Sequence, residues 1–261
     1  MKKNSLIFIT ILVILAVFIV IFVLLTNQGN NEEQNQNSMN QPVSQNENEG
    51  YIDLNPEDFY ALMNSSSNPV VLDVSPKYQG GHLPGSINYY VGDGSLDAAI
   101  PSLDKSKTYL VYCHVDSASI LGSEKLVEAG FPNVYRLVGN YSAWIAAGYP
   151  VEIFLDPVGL YNGTAIANRS YRSGQFIHRV EIETSDPATD KFFEGWLVKD
   201  TPELTFFSTG QMQKITGKYV LEYQSTTDQS EYNQVVITEE TETNGLDGIP
   251  ETHIFEGEFT N

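Results

Sequence analysis

Between Tyr51 and Val151 short apolar runs alternate with segments of helical period, and no other feature of this 261-residue chain restricts its fold as tightly. The strand candidates are VVLDV at 70–74, INYYV at 87–91, YLVYC at 109–113 and VYRLV at 134–138. NPEDFYALM opens on Asn55 as an N-cap, with Pro56 at the first helical position and acids in the first turn. SILGSEKLVEAG reads as a helix starting near Ser119 and closing at Gly130. Strand–helix alternation of this kind packs as an α/β unit around a mostly parallel sheet.

After about Asp156 the helical period disappears. HRVEIET, FFEGWLV, KYVLEYQ and NQVVITEE recur between turn residues, which predicts an all-β sandwich of about 100 residues. The expected division is an α/β domain at 51–156 and a sandwich domain at 157–261.

The N-terminus is of another kind. Lys2 and Lys3 precede an uncharged run from Leu6 to Leu25, about 20 residues and so roughly 30 Å of helix, enough to cross a bilayer. VLLTNQ offers no small-x-small cleavage site and no cysteine for a lipid anchor. This predicts an uncleaved transmembrane anchor at 6–26 behind a cytoplasmic N-terminus at 1–5. The positive-inside rule then places everything beyond it outside the cytoplasm, extracellular or periplasmic. From 27 to 50 the chain is almost entirely Asn, Gln, Glu, Ser and Gly, a composition that reads as a disordered polar tether.

A formal charge of −19 and a pI near 4.4 argue against a nucleic-acid partner, because binding phosphates requires basic side chains that displace counterions. The single cysteine, Cys113, excludes an internal disulfide and every C-x-x-C reading. It ends a strand candidate and opens the loop CHVDSAS, which carries no arginine or lysine. Ligands of parallel α/β sheets sit at such strand ends. There the backbone N–H groups of His114, Val115, Asp116, Ser117, Ala118 and Ser119, with a helix start behind them, can cradle an anion and lower a thiol's pKa.

Residues 51 to 151 resemble a rhodanese domain. The resemblance rests on VVLDV followed by GHLPGSIN, on YLVYC, and on LVGNYSAWIAAGYPV, three motifs in family order and spacing over about two-fifths of the chain. It implies a rhodanese-like parallel-sheet fold in which Cys113 takes sulfane sulfur from a donor such as thiosulfate or a polysulfide and passes it on from a persulfide. It also implies supporting places for Asp73, as an organiser of loop amides, and for His82, as a structural hydrogen-bonder. No cofactor or metal is implied. A small sulfur-containing anion or polysulfide is the expected partner, besides the membrane at the N-terminal helix.

The loop departs from the family pattern, with Asp116 at a glycine position and Ala118 at an arginine position; a carboxylate facing the thiol would disfavour both thiolate and anionic donor. His114, if protonated, could stand in for the missing cation, though an exposed loop histidine is the simpler reading. A phosphatase loop needs arginine at position 119, and Ser119 stands there. The alternative to an enzyme is a catalytically weak rhodanese-fold binding module joined to a β-sandwich that engages an envelope protein. The β-rich part faintly resembles the extracellular sandwich of anti-sigma-factor-type membrane proteins. Its His178, Met212 and His253 lack the thiolate a copper site needs, and EETETNGLDG lacks the ligand spacing of a calcium loop.

Overall fold

The computed structural model describes residues 50–260. The expected N-terminus, membrane anchor and tether, Gly50 excepted, lie outside the described residues. Among the described residues no helix is long and apolar enough to cross a membrane.

The first half is built on a five-stranded parallel sheet of β1 (Ile52–Leu54), β2 (Val70–Asp73), β3 (Ile87–Asn88), β4 (Tyr109–Tyr112) and β5 (Val134–Leu137), ordered β1-β5-β4-β2-β3. Around it lie α1 (Pro56–Met63), α2 (Ser95–Ala99), α3 (Asp116–Glu128) and α4 (Asn140–Ala146). The start of α1 is fixed by Asn55, whose side-chain oxygen accepts from Asp58 N at 2.9 Å.

The central strand β4 is buried on both sides, as parallel strands are. Its period-2 alternation sorts the core. Leu110 and Tyr112 join one apolar cluster with Phe59 of α1 and Trp144 of α4, while Tyr109, Val111 and Cys113 join another with Leu96 of α2 and Leu126 of α3. Gly122 lets α3 sit close on Val74, the residue after β2, since a Cβ there would lie 3.1 Å from both of its γ-carbons.

The second half departs from the expected sandwich. Strands β6 (Val151–Pro157), β7 (Thr164–Arg172), β8 (Gln175–Glu183), β9 (Lys191–Lys199), β10 (Thr205–Gln211), β11 (Gln213–Ile215), β12 (Lys218–Ser225), β13 (Gln234–Thr241) and β14 (Thr252–Glu258) form one antiparallel sheet. Its order is β10-β9-β13-β14-β6-β7-β8-β12-β11. The two edge strands, β10 and β11, are consecutive in the chain and separated only by Met212, so the sheet curls nearly into a barrel. An inward-outward alternation serves sandwich and barrel equally, which is why the strand pattern did not distinguish them. The β7–β8 and β11–β12 hairpins turn on Ser173-Gly174 and Thr216-Gly217, all four at positive φ, the backbone of a tight two-residue turn.

The described residues belong to one compact unit, and one apolar cluster crosses both halves. Phe59, Trp144 and Tyr149 share it with Ile153, Phe176, Phe193 and Phe255 of the barrel. Strand β6 runs across the expected 156/157 division, starting in the barrel sheet directly after the chain leaves α4. Backbone bonds reinforce the join: His82 and Glu152 exchange N–H···O bonds of 2.9 and 2.8 Å, and Thr260 N donates to Gly80 O at 2.7 Å. Gly148, at φ +76, leaves no space for a Cβ beside the Tyr171 carbonyl.

A shared core is expected to make the two halves unfold as one cooperative unit. Trp144 and Trp196 are the chain's two tryptophans, one in each half and both buried. With Trp196→Phe the fluorescence transition reports the α/β half, and with Trp144→Phe it reports the barrel. In denaturant, each variant's fluorescence transition is expected to coincide with its own circular-dichroism transition. A fluorescence midpoint clearly separated from the circular-dichroism midpoint in either variant would show independent folding of the halves.

Candidate functional site

Cys113 follows β4, the middle strand of the parallel sheet, at its C-terminal end. Only His114 and Val115 separate it from α3, which starts at Asp116 and not near Ser119 as the sequence suggests. The cradle of six amides is therefore arranged differently from the expected open loop. His114 and Val115 direct backbone N–H groups at the sulfur, while Asp116, Ser117 and Ala118 form the first turn of the helix. The earliest intrahelical bond is Ser119 N to Val115 O, at 3.3 Å. N–H groups of a first turn have no intrahelical acceptors, and they place the positive end of the α3 dipole beside the cysteine.

The loop is held from the β5–α4 turn. Gly139 and Asn140 both adopt positive φ, 71° and 56°, a conformation asparagine tolerates better than most residues. This turns the Asn140 side chain under the cysteine, where its Oδ1 accepts from Cys113 N at 3.0 Å; Tyr141 N in turn donates to Cys113 O at 3.0 Å.

Asp116 does not act as the sequence implies. Its Oδ1 accepts from Arg136 Nη1 at 3.0 Å and from Asn140 Nδ2 at 2.6 Å. Arg136, on β5 and buried, is also forked onto Asp53 of β1 through bonds of 2.7 and 2.6 Å. The Asp116 charge is thus met by a guanidinium. The side-chain charges that bear most on the thiol are Asp73 and Lys77.

Burial pushes the Cys113 thiol above its ordinary value; the side chain is 1% exposed. The Val115 and His114 amides oppose that shift, Asp73 adds to it, and Lys77 opposes it. Asp73 ends β2 and is fully buried. Its Oδ1 accepts from Ser75 N at 2.8 Å, which shapes the turn leading to Lys77, and burial raises its own pKa.

His114 stacks on Tyr141 with centroids 4.3 Å apart. Burial, then Lys77, lowers its pKa to about 4, so it is neutral at pH 7 and supplies no cation. His82 lies at the join between the halves. Its Nδ1 meets Tyr78 O at 2.9 Å, its Nε2 is 3.3 Å from Glu152 Oε1, and its ring stacks between Tyr78 and Phe154. A cleft of about 320 Å³ opens above the loop, lined by Lys77, His114, Tyr141, Ser142, Ile145 and Ala146.

Sequence reasoning passed over Lys77, Asn140 and Arg136. Lys77 had left a trace: it is the sole Lys or Arg between Lys3 and Lys105 in a strongly acidic chain. Asn140 lies inside the motif LVGNYSAWIAAGYPV with nothing in its neighbours to mark it as the partner of Cys113. Of the barrel residues weighed as ligands, His178 and Met212 are buried and His253 is exposed on Glu256, 2.5 Å away.

A family model described as a rhodanese-like domain matches residues 55–147. Among curated proteins, the adenylyltransferase and sulfurtransferase UBA4 of Lodderomyces elongisporus is 30% identical over 108 residues, which is 36% of this chain and 24% of that protein. The protein of the same name from Candida albicans is 26% identical over 100 residues, 35% of this chain and 23% of the relative. The chain thus spans about a quarter of the length of these curated relatives. Among solved structures, the rhodanese-like domain of the Alr3790 protein from Anabaena sp. is 29% identical with a TM-score of 0.36, covering 41% of this chain and 86% of that one. A thiosulfate sulfurtransferase from Pseudomonas aeruginosa is 28% identical with a TM-score of 0.35, covering 40% of this chain and 20% of that one. Residues 55–147 are thus similar to rhodanese-like domains. The barrel that follows extends the chain beyond the matched segment.

Lys77→Met is expected to raise the Cys113 pKa by up to about 1 unit, and Asp116→Asn to move it by less than about 0.5 unit. Thiolate absorbance followed over a pH titration measures both. A larger fall in pKa with Asp116→Asn than the rise with Lys77→Met would show that Asp116 faces the sulfur after all.

Proposed function

We propose that this protein is a membrane-anchored, extracytoplasmic sulfurtransferase that carries sulfane sulfur as a persulfide on Cys113. The observation that carries the reading is the placement of the only cysteine: at the C-terminal end of the central parallel strand, at the first turn of α3, with two amides aimed at its sulfur. In the first half-reaction the Cys113 thiolate attacks the outer sulfur of a donor such as thiosulfate. A Cys113 S–S bond forms, the donor's S–S bond breaks, and sulfite leaves with the bonding pair. In the second, a thiophilic acceptor attacks the outer persulfide sulfur and Cys113 leaves as thiolate. The amides and Lys77 stabilise negative charge at both stages.

Deep burial of Cys113 and its raised pKa favour one rival, in which the fold is kept as a binding module and the barrel engages an envelope protein. A mass spectrum of the purified full chain after thiosulfate or polysulfide treatment separates the two. One sulfur atom gained on Cys113, and none with Cys113→Ser, is the expected result; an unmodified Cys113 in a folded chain selects the module. Because burial raises the thiol pKa, the thiolate fraction keeps growing with pH. Loading rates are therefore expected to climb past pH of about 8.5, the ordinary thiol value. A rate that levels off below pH 7 would show a thiolate already formed.

The membrane topology rests on Lys2, Lys3 and the uncharged run after them. Protease added to intact cells is expected to release everything beyond the Asn/Gln-rich segment. Full protection of the chain would place the domains in the cytoplasm.

A further inference from the structure

A second cleft, of about 230 Å³, lies where α4 meets the barrel, and Arg169 of β7 lines it. Arg169 is 6% exposed, yet no carboxylate among the described residues lies within 4 Å of it. Its Nη1 donates to Ser230 O at 3.0 Å and Tyr232 O at 3.1 Å, and its guanidinium lies 4.1 Å from the Phe259 ring centroid. Those contacts engage one of its three nitrogens with neutral acceptors and leave its charge without a carboxylate in contact, only the exposed Asp228 acting on it from beyond 4 Å. Its cross-strand partner His178 gives no negative charge either, since it donates Nδ1–H to Asn168 O at 3.0 Å and burial keeps it neutral.

Burying a lone guanidinium is costly, and buried charges are ordinarily paired. The surroundings reinforce the point. Arg172 sits 4.3 Å over Tyr149, itself a wall of the cleft, so two of the chain's 14 basic residues gather here against one acid, the exposed Asp228.

We propose that this cleft binds a small monocarboxylate with an apolar body, its carboxylate on Arg169 and its body against Ile145, Tyr149, Val151 and Tyr171. A planar carboxylate matches the fork of a guanidinium. The apolar walls select a carbon body over an inorganic oxyanion, and Asp228 at the rim disfavours a second negative charge. The volume is below that of a drug-sized pocket, which limits the ligand to a small one. This site is independent of the chemistry at Cys113.

Isothermal titration of the full-length chain with benzoate, benzamide and sulfate tests the proposal. Benzoate is expected to bind at least tenfold more tightly than benzamide or sulfate, and Arg169→Gln to remove that preference. The comparison of the three compounds on the parent protein needs no variant, so it still decides the question if the Arg169→Gln chain misfolds. Equal binding of benzoate and benzamide by the parent, sulfate binding as tight as benzoate, or no binding of any of the three would overturn it. Arg169 would then serve only to pin the 230–232 backbone and Phe259.

Discussion

The ion pair between Arg136 and the two carboxylates of Asp53 and Asp116 is the interaction on which the site depends. Arg136 stands on β5, Asp53 on β1 and Asp116 at the start of α3, so one buried guanidinium joins an edge strand, its neighbour and the helix that begins beside the cysteine. Through Asp116 the same network reaches Asn140, and through Asn140 the backbone N–H of Cys113. Loss of Arg136 would leave Asp53 and Asp116 to water, which reaches 25% and 64% of their side chains, and its main effect would be to free the asparagine that fixes the loop. The acid that looks misplaced in the sequence is therefore a structural ligand of that guanidinium.

A second constraint comes from the other face of the sheet. Trp144 and Tyr149 bring α4 and the turn after it against the barrel, and Trp144 Nε1 is satisfied by Pro150 O at 2.8 Å, just before β6 begins. The chain enters the barrel sheet at Val151, with only four residues separating it from the end of α4 at Ala146. His82 closes the join from the other side by pairing its backbone with Glu152 and stacking its ring on Phe154. Because α4 carries both Tyr141, which holds the Cys113 carbonyl, and Ile145, which lines both clefts, the barrel supports the helix that supports the cysteine loop.

The α/β half was legible because parallel strands are short apolar runs and helices carry end signals. VVLDV, YLVYC and VYRLV became β2, β4 and β5, and Asn55 caps α1 as its position suggested. The start of α3 was less visible, since Asp116 and Ser117 read equally as loop or as first-turn residues. The barrel strands were legible one by one, but the curl that brings the two edges β10 and β11 close on either side of Met212 was not, because local periodicity says nothing of strand order. At the site, Cys113 stood out as the only cysteine. The direction of the Asp116 carboxylate did not, because it depends on an arginine 20 residues away.

Electrostatics sets what can approach the thiol. A formal charge of −19 surrounds the molecule with a field that repels anions, screened in physiological salt over about 8 Å. Within that distance the local groups decide, and at Cys113 they oppose one another: burial and Asp73 disfavour negative charge, while two amides, the α3 dipole and Lys77 favour it. Arg136 contributes little, being already compensated by two acids. An anionic donor must therefore rely on Lys77 and the amides to offset both the field and its own desolvation. Under the proposed transfer a neutral sulfane donor would escape the repulsion of the field, but the Cys113 thiolate would still have to form against burial and Asp73, with the two amides and Lys77 on its side.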